Sequence, residues 1–144
     1  MTTDRPFRVL FVCIGNSCRS PMAEAIARHK YGDLMEASSA GVGPAPIVQP
    51  QTYQCLAEKE IPLEPDKLPV RLDKSDWRSM DVIINISGMG ILPMIPDFKG
   101  GTLIWDVPDP MGQPMAAYRA ARDQLERMID RLAGMLRSNQ RSAE

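Results

Sequence analysis

Eight consecutive residues, Cys13-Ile14-Gly15-Asn16-Ser17-Cys18-Arg19-Ser20, concentrate the chemistry of this 144-residue chain. A thiol, a guanidinium and a hydroxyl stand at spacings that one short loop can gather about a point. Gly15 and Asn16 are residue types that tolerate positive φ, so the loop can turn tightly. Such a loop, entering a helix N-terminus, aims backbone N–H groups inward and forms an anion cradle from Ile14 to Arg19. Arg19 adds a planar fork matched to a tetrahedral oxyanion. A thiol at the base of the cradle shares its positive field, which favours a thiolate nucleophile at Cys13. Ser20 is placed to hydrogen-bond that sulfur and to stabilise it again when it leaves. Asp109, followed by Pro110, lies just beyond the end of a later strand and Asp106 flanks it, so these carboxylates also call for a chemical reading.

The elements that must position these groups follow from the apolar pattern. Arg8 to Val12 reads as a buried strand ending at Cys13, and Ser20 and Pro21 read as the cap and first residue of a helix. Met22, Ile26 and His29 continue that helix, and Gly32 stops it. Leu34 to Ala40 is a second strand closed by Gly41. Gln51 to Glu60 is a second helix, ended by Pro62. Asp73 to Asp76 opens a short helix, while Asp81 to Ser87 and Gly101 to Val107 are further strands. Pro114 to Arg137 is a helix whose stripe of Tyr118, Ala121, Leu125, Met128, Ile129, Leu132 and Leu136 faces the core. Arg119, Arg122, Glu126 and Arg127 form its solvated face. Four strands alternating with about four helices predict one α/β domain over residues 1–144. Its parallel sheet would carry helices on both faces, with flexible ends at 1–6 and 138–144. In such sheets the ligand site lies beyond the carboxyl ends of the strands, where Cys13 and Asp109 fall.

Composition bounds the rest. Seventeen basic against eighteen acidic residues give a net charge of −1, which argues against a nucleic-acid binder. The apolar runs are strand-sized, so no membrane span is expected. The polar start is no signal peptide, and three cysteines are an odd count, so a reducing cytoplasmic setting is expected. A zinc site from Cys13, Cys18, Cys55 and His29 lacks the usual closely spaced ligand pairs. Cys55 reads as a packing residue and His29 as a surface or core-edge one.

The run Val12 to Glu24 resembles the signature of the low-molecular-weight protein tyrosine phosphatase family. Its superfamily includes bacterial protein-arginine phosphatases and thioredoxin-coupled arsenate reductases. Ser39-Ala40-Gly41 is similar to the family's second-strand end, Arg71 sits where a basic residue is usual, and Asp109-Pro110 matches the acid loop. The resemblance implies a four-stranded parallel sheet and a phosphocysteine intermediate on Cys13. It implies that Arg19 binds the phosphoryl oxygens, that Asn16, Ser20 and Ser39 support the loop, and that Asp109 is general acid, then base. Cys18 would be a redox partner for Cys13. The expected protein is a monomer acting on a phosphorylated protein or small phosphomonoester, without cofactor or metal.

The departures bear on substrate. Met111 follows Asp109-Pro110, and Val42 to Gln49 holds no aromatic. A phosphotyrosine ring would therefore lose stacking worth about 0.5–1.5 kcal/mol per aromatic pair. Ile47 and Met111 are left to line an apolar slot. Leu68 replaces a histidine found in many eukaryotic members, so the network behind the loop must differ. Ser17 stands at the loop's rim in this reading, where tyrosine-directed members tend to carry a bulky aliphatic and the arginine-phosphatase branch a small hydroxylated residue. Trp105 is similar to the arsenate reductases, but Ile86-Ser87-Gly88-Met89 lacks their resolving cysteines. Phosphotyrosine-type monoester hydrolysis ranks first on the sequence. Protein-arginine phosphatase, arsenate reductase and a non-catalytic phosphate-binding module follow in that order.

Overall fold

The computed structural model describes residues 5–143. Strand β1 (Phe7–Cys13) lies inside a parallel sheet with β2 (Met35–Gly41), β3 (Val82–Asn85) and β4 (Gly101–Ile104). The order β2-β1-β3-β4 puts the switch in direction at β1, so its carboxyl end opens into the crevice where such sheets bind ligands. The register sets Cys13 opposite Gly41 and Val12 opposite Asn85. Cys13 therefore emerges at the head of that crevice.

Side chains alternate across β1 and divide the interior in two. Val9 and Phe11 join a core built from α1 (Arg19–Tyr31), α2 (Pro50–Ala57) and α3 (Met115–Ala143). Leu10 and Val12 face a smaller core closed by Leu72, Trp77, Ile91 and Ile95. Both faces of the expected sheet are thus covered, but unequally. Three α-helices supply one side, and short 3-10 turns at Leu72–Lys74, Trp77–Ser79 and Leu92–Met94 supply much of the other. Each large side chain buried between the layers contributes about 1.5–3 kcal/mol.

Several boundaries move. Strands β3 and β4 stop short of Ser87 and Val107, because the chain must leave the sheet to build the crevice loops. The short helix expected after Asp73 is a pair of 3-10 turns. Helix α1 starts at Arg19 with Cys18 as its cap residue and no side-chain capping bond, so Ser20 is not the cap. Its hydroxyl is spent on the loop instead. Helix α3 runs past Arg137 to Ala143, across most of the end expected to be flexible; residues 1–4 and 144 lie outside the described residues. At the other end Arg5 makes a two-pronged ion pair with Asp81, holding that carboxyl below the usual carboxylate range.

The expected stripe of α3 is the buried one, with Tyr118, Ala121, Leu125, Ile129, Leu132 and Leu136 in the core. Arg122 is a correction: it is 7% exposed rather than solvated. Its guanidinium donates to the Cys55 carbonyl at 2.7 Å and to Glu58 at 2.8 Å, tying α3 to α2. Among the described residues, no helix is long and apolar enough to cross a membrane.

Candidate active site

The loop after β1 is shaped by where its carbonyls go. Those of Cys13, Ile14, Gly15 and Ser17 accept from the amides of Val42, Gly43, Ala45 and Gln49 at 2.9–3.0 Å. Thr52 Oγ1 also donates to the Ser17 carbonyl at 2.8 Å. With those four carbonyls so engaged, the amides of 14–20 donate to no acceptor among the described residues. Amides left free in such a turn are available to an anion. Asn16 holds φ at +52°, and a Cβ on Gly41 would lie 2.7 Å from the Ile14 carbonyl. That approach requires glycine at the end of β2.

Inside the loop a hydroxyl meets the thiol. Ser20 Oγ lies 2.9 Å from Cys13 Sγ and accepts from Asn16 Nδ2 at 2.8 Å. Asn16 Oδ1 in turn accepts from the Val70 amide at 2.9 Å. Arg19, 5% exposed, donates through Nη1 to the carbonyls of Ile86 at 2.8 Å and Val107 at 3.0 Å. Its Nε is buried with no protein partner. The Nε–Nη2 edge is thus left as a fork for an oxyanion, held rigid from the opposite side.

Asp109 is exposed at the mouth, with Oδ2 3.6 Å from Arg19 Nη2 and Oδ1 accepting from the Met111 amide at 3.1 Å. Asp106 is exposed, and its carbonyl takes Gln124 Nε2 at 2.8 Å, bracing the acid loop on α3. The contact with Arg19 belongs to Asp109. Ile14, Ile47 and Met111 are exposed apolar side chains on the surrounding loops.

Ser17 departs from its expected place at the rim: it is 2% exposed, packed inward with Oγ 3.8 Å from Cys18 Sγ. Cys18 is buried near the Tyr118 hydroxyl at 3.7 Å, and burial pushes its thiol above the ordinary value. Cys55 is fully buried, and desolvation pushes its thiol up to about 11. All three cysteines are free thiols. His29 is exposed on α1, and no metal-holding cluster of His, Cys, Asp or Glu occurs among the described residues.

Two sets of groups escaped the sequence reading. The Ile86 and Val107 carbonyls anchor Arg19, and Asn85 braces the first of them by accepting from the Ser87 amide at 3.0 Å and hydroxyl at 2.6 Å. Backbone acceptors leave no mark in residue type. The second set is Glu24, 0% exposed, which accepts from Ser39 Oγ at 2.5 Å and meets Lys67 Nζ at 3.1 Å. A glutamate among buried residues on α1, five positions after Arg19, was the available signal.

A cysteine at the end of β1, with unpaired loop amides around it, a fixed guanidinium behind it and a carboxylate facing that guanidinium, is an arrangement that could hold a tetrahedral oxyanion. Residues 8–142 match the family model described as low molecular weight phosphotyrosine protein phosphatase. The chain belongs to that family. It is 38% identical over 148 residues to a protein-arginine-phosphatase of Geobacillus stearothermophilus, covering 94% of this chain and 99% of that protein. It is 29% identical over 127 residues to arsenate reductase 1 of Bacillus cereus, covering 87% and 92%. Among solved structures, the YwlE arginine phosphatase from Geobacillus stearothermophilus superposes with a TM-score of 0.85 at 35% identity, covering 96% and 98%.

Proposed function

We propose that this protein is a cysteine-dependent phosphatase acting on phosphoarginine in proteins. Cys13 thiolate attacks phosphorus in line, the S–P bond forms, and the P–N bond breaks as Asp109 gives its proton to the departing guanidine. Asp109 then takes a proton from water, which attacks the phosphocysteine and releases inorganic phosphate and the thiolate. The cradle amides and the Arg19 fork carry the charge of the transferred group, so the residues present suffice without a metal.

The single observation that carries the substrate choice is an acidic mouth free of aromatics. The departing guanidine becomes a cation on protonation, and the Asp109 carboxylate pairs with it; a departing phenol gains no such partner. No aromatic lies in 42–49 or 108–114 to stack on a phenol ring. The similarity to protein-arginine phosphatases in sequence and in fold supports this reading at least as well as the monoester reading placed first on sequence alone. Phosphotyrosine remains the second reading, favoured by the exposed Ile47 and Met111 side chains, either of which can touch a ring face. Arsenate reduction by resolving cysteines has less support, since Cys55 is fully buried with a raised pKa. Turnover of phosphoarginine and phosphotyrosine peptides at matched concentrations separates the first two readings. Phosphoarginine should be the faster by tenfold or more, on the order of one well-placed polar contact. Phosphoarginine left untouched by enzyme active on p-nitrophenyl phosphate would overturn the proposal.

A further inference from the structure

Residues 62–70 return to the end of β2 without helix or strand of their own, so side-chain contacts decide where this strap lies. Besides the Tyr53 hydroxyl, which donates to the Glu64 carbonyl at 2.6 Å, three clips hold it. At the surface, Glu64 accepts from Arg28 Nη1 at 2.7 Å. In the interior, Lys67, its side chain 12% exposed, meets the fully buried Glu24 carboxylate at 3.1 Å. Arg28 Nη1 lies 3.0 Å from the other oxygen of that carboxylate. At the far end, Val70 accepts from the Gly41 amide at 2.8 Å and donates to Asn16 Oδ1 at 2.9 Å.

The last bond has a directional consequence. A donor at Val70 fixes which end of the Asn16 carboxamide is oxygen, so the amide nitrogen faces Ser20 and donates to Oγ at 2.8 Å. Ser20 then has one proton to give. Cys13 Sγ at 2.9 Å is closer than the Ala40 carbonyl at 3.4 Å. Val70, Asn16 and Ser20 thus form a relay in which every donor points toward the sulfur. A buried ion pair adds little stability over packed apolar groups of its size, so its presence suits a positional role.

We propose that the Lys67–Glu24 pair, with its fully buried carboxylate, is a positioning device for the nucleophile. It fixes the strap so that the Val70 amide orients Asn16, which directs the Ser20 hydroxyl onto Cys13. The inference rests on Cys13 being the thiolate nucleophile. Arg19 and Asp109, the other charged groups at the cradle, are unchanged in every variant below.

The test is iodoacetate alkylation of Cys13 in the full chain, followed by peptide mass at pH 6 and pH 9. Lys67→Met should slow alkylation about tenfold at pH 6, the loss expected when a hydrogen bond to the charged form is weakened. At pH 9 the rates should converge. Its kcat should fall while KM changes little, and Lys67→Arg should restore most of both. Val70→Pro, which deletes the relay's first donor and leaves the ion pair in place, should show the same loss at pH 6. It tests the relay alone; Lys67→Gln, which removes the charge and keeps a polar head, tests the pair if Lys67→Met fails to fold. Glu64→Gln, removing only the solvent-screened clip, should match wild type at both pH values. Wild-type alkylation rates in Lys67→Met and Val70→Pro at pH 6, with a lowered melting temperature, would overturn the inference and leave the pair a stability element. A wild-type Cys13 no more reactive than Cys55 at pH 6 would instead overturn the nucleophile reading, and this inference with it.

Discussion

Replacing Arg19 by lysine keeps the positive charge and removes the fork. The arginine uses Nη1 for the Ile86 and Val107 carbonyls at 2.8 and 3.0 Å, while Nε is buried without a protein partner. A lysine ammonium at the end of one stem cannot serve those carbonyls and two phosphoryl oxygens together. Two charge-assisted bonds to the transferred group are lost, at about 1.5–3 kcal/mol each. The sum, about 3–6 kcal/mol, predicts a fall in kcat/KM of about 10²–10⁴ for Arg19→Lys. p-Nitrophenyl phosphate is the right substrate, because its good leaving group makes little demand on Asp109 and isolates the phosphoryl contacts. The melting temperature should also drop, since two buried carbonyls lose their donor. Circular dichroism on the same sample checks that the variant is folded. A folded Arg19→Lys within fivefold of wild type would refute the fork.

Asp109→Asn should slow poor leaving groups by about 10²–10⁴ and p-nitrophenyl phosphate much less. If Asp106→Asn shows that pattern instead, the acid is misassigned. Iodoacetate should label Cys13 near neutral pH, and inorganic phosphate should protect it; Cys55, its thiol pushed up to about 11 by burial, should stay unlabelled in the folded protein. Ser17→Ile adds bulk at a position 2% exposed, so it should cost about 1–3 kcal/mol of stability, read as a lowered melting temperature. The Glu58 carboxyl is held down to about 2 by hydrogen bonds from Arg119 and Arg122. A depressed carboxyl stabilises the fold above its unfolded pKa of about 4.3 and ceases to do so as pH falls through the folded value. Wild type should therefore lose melting temperature between about pH 4 and 2, and Glu58→Gln should flatten that slope.

How much of this was legible in the sequence depends on what each residue answers to. The loop from Cys13 to Ser20 announces itself, because positive φ at Asn16 and a fork at Arg19 are demands that few residue types meet. The parallel sheet follows from buried strands alternating with helices, and the α3 stripe from its period. Ser20 reads as a cap because a serine before proline satisfies either role, and only the tertiary approach of Cys13 decides between them. Arg122 reads as solvated in any helical wheel; its burial comes from α2 packing over it. Glu24 and Lys67 lie far apart in sequence, and a strap of prolines and charges gives no hint that one lysine folds inward. The Ile86 and Val107 carbonyls could not be read at all, since any residue supplies the same oxygen.

The central claim, phosphoryl transfer from phosphoarginine onto Cys13, is tested most directly by rapid quench of the wild-type protein with a phosphoarginine peptide. Peptide mass then locates any bound phosphate. The account predicts one phosphate on Cys13 that appears before inorganic phosphate and decays as it accumulates. Inorganic phosphate released with Cys13 unmodified at every time point would contradict it.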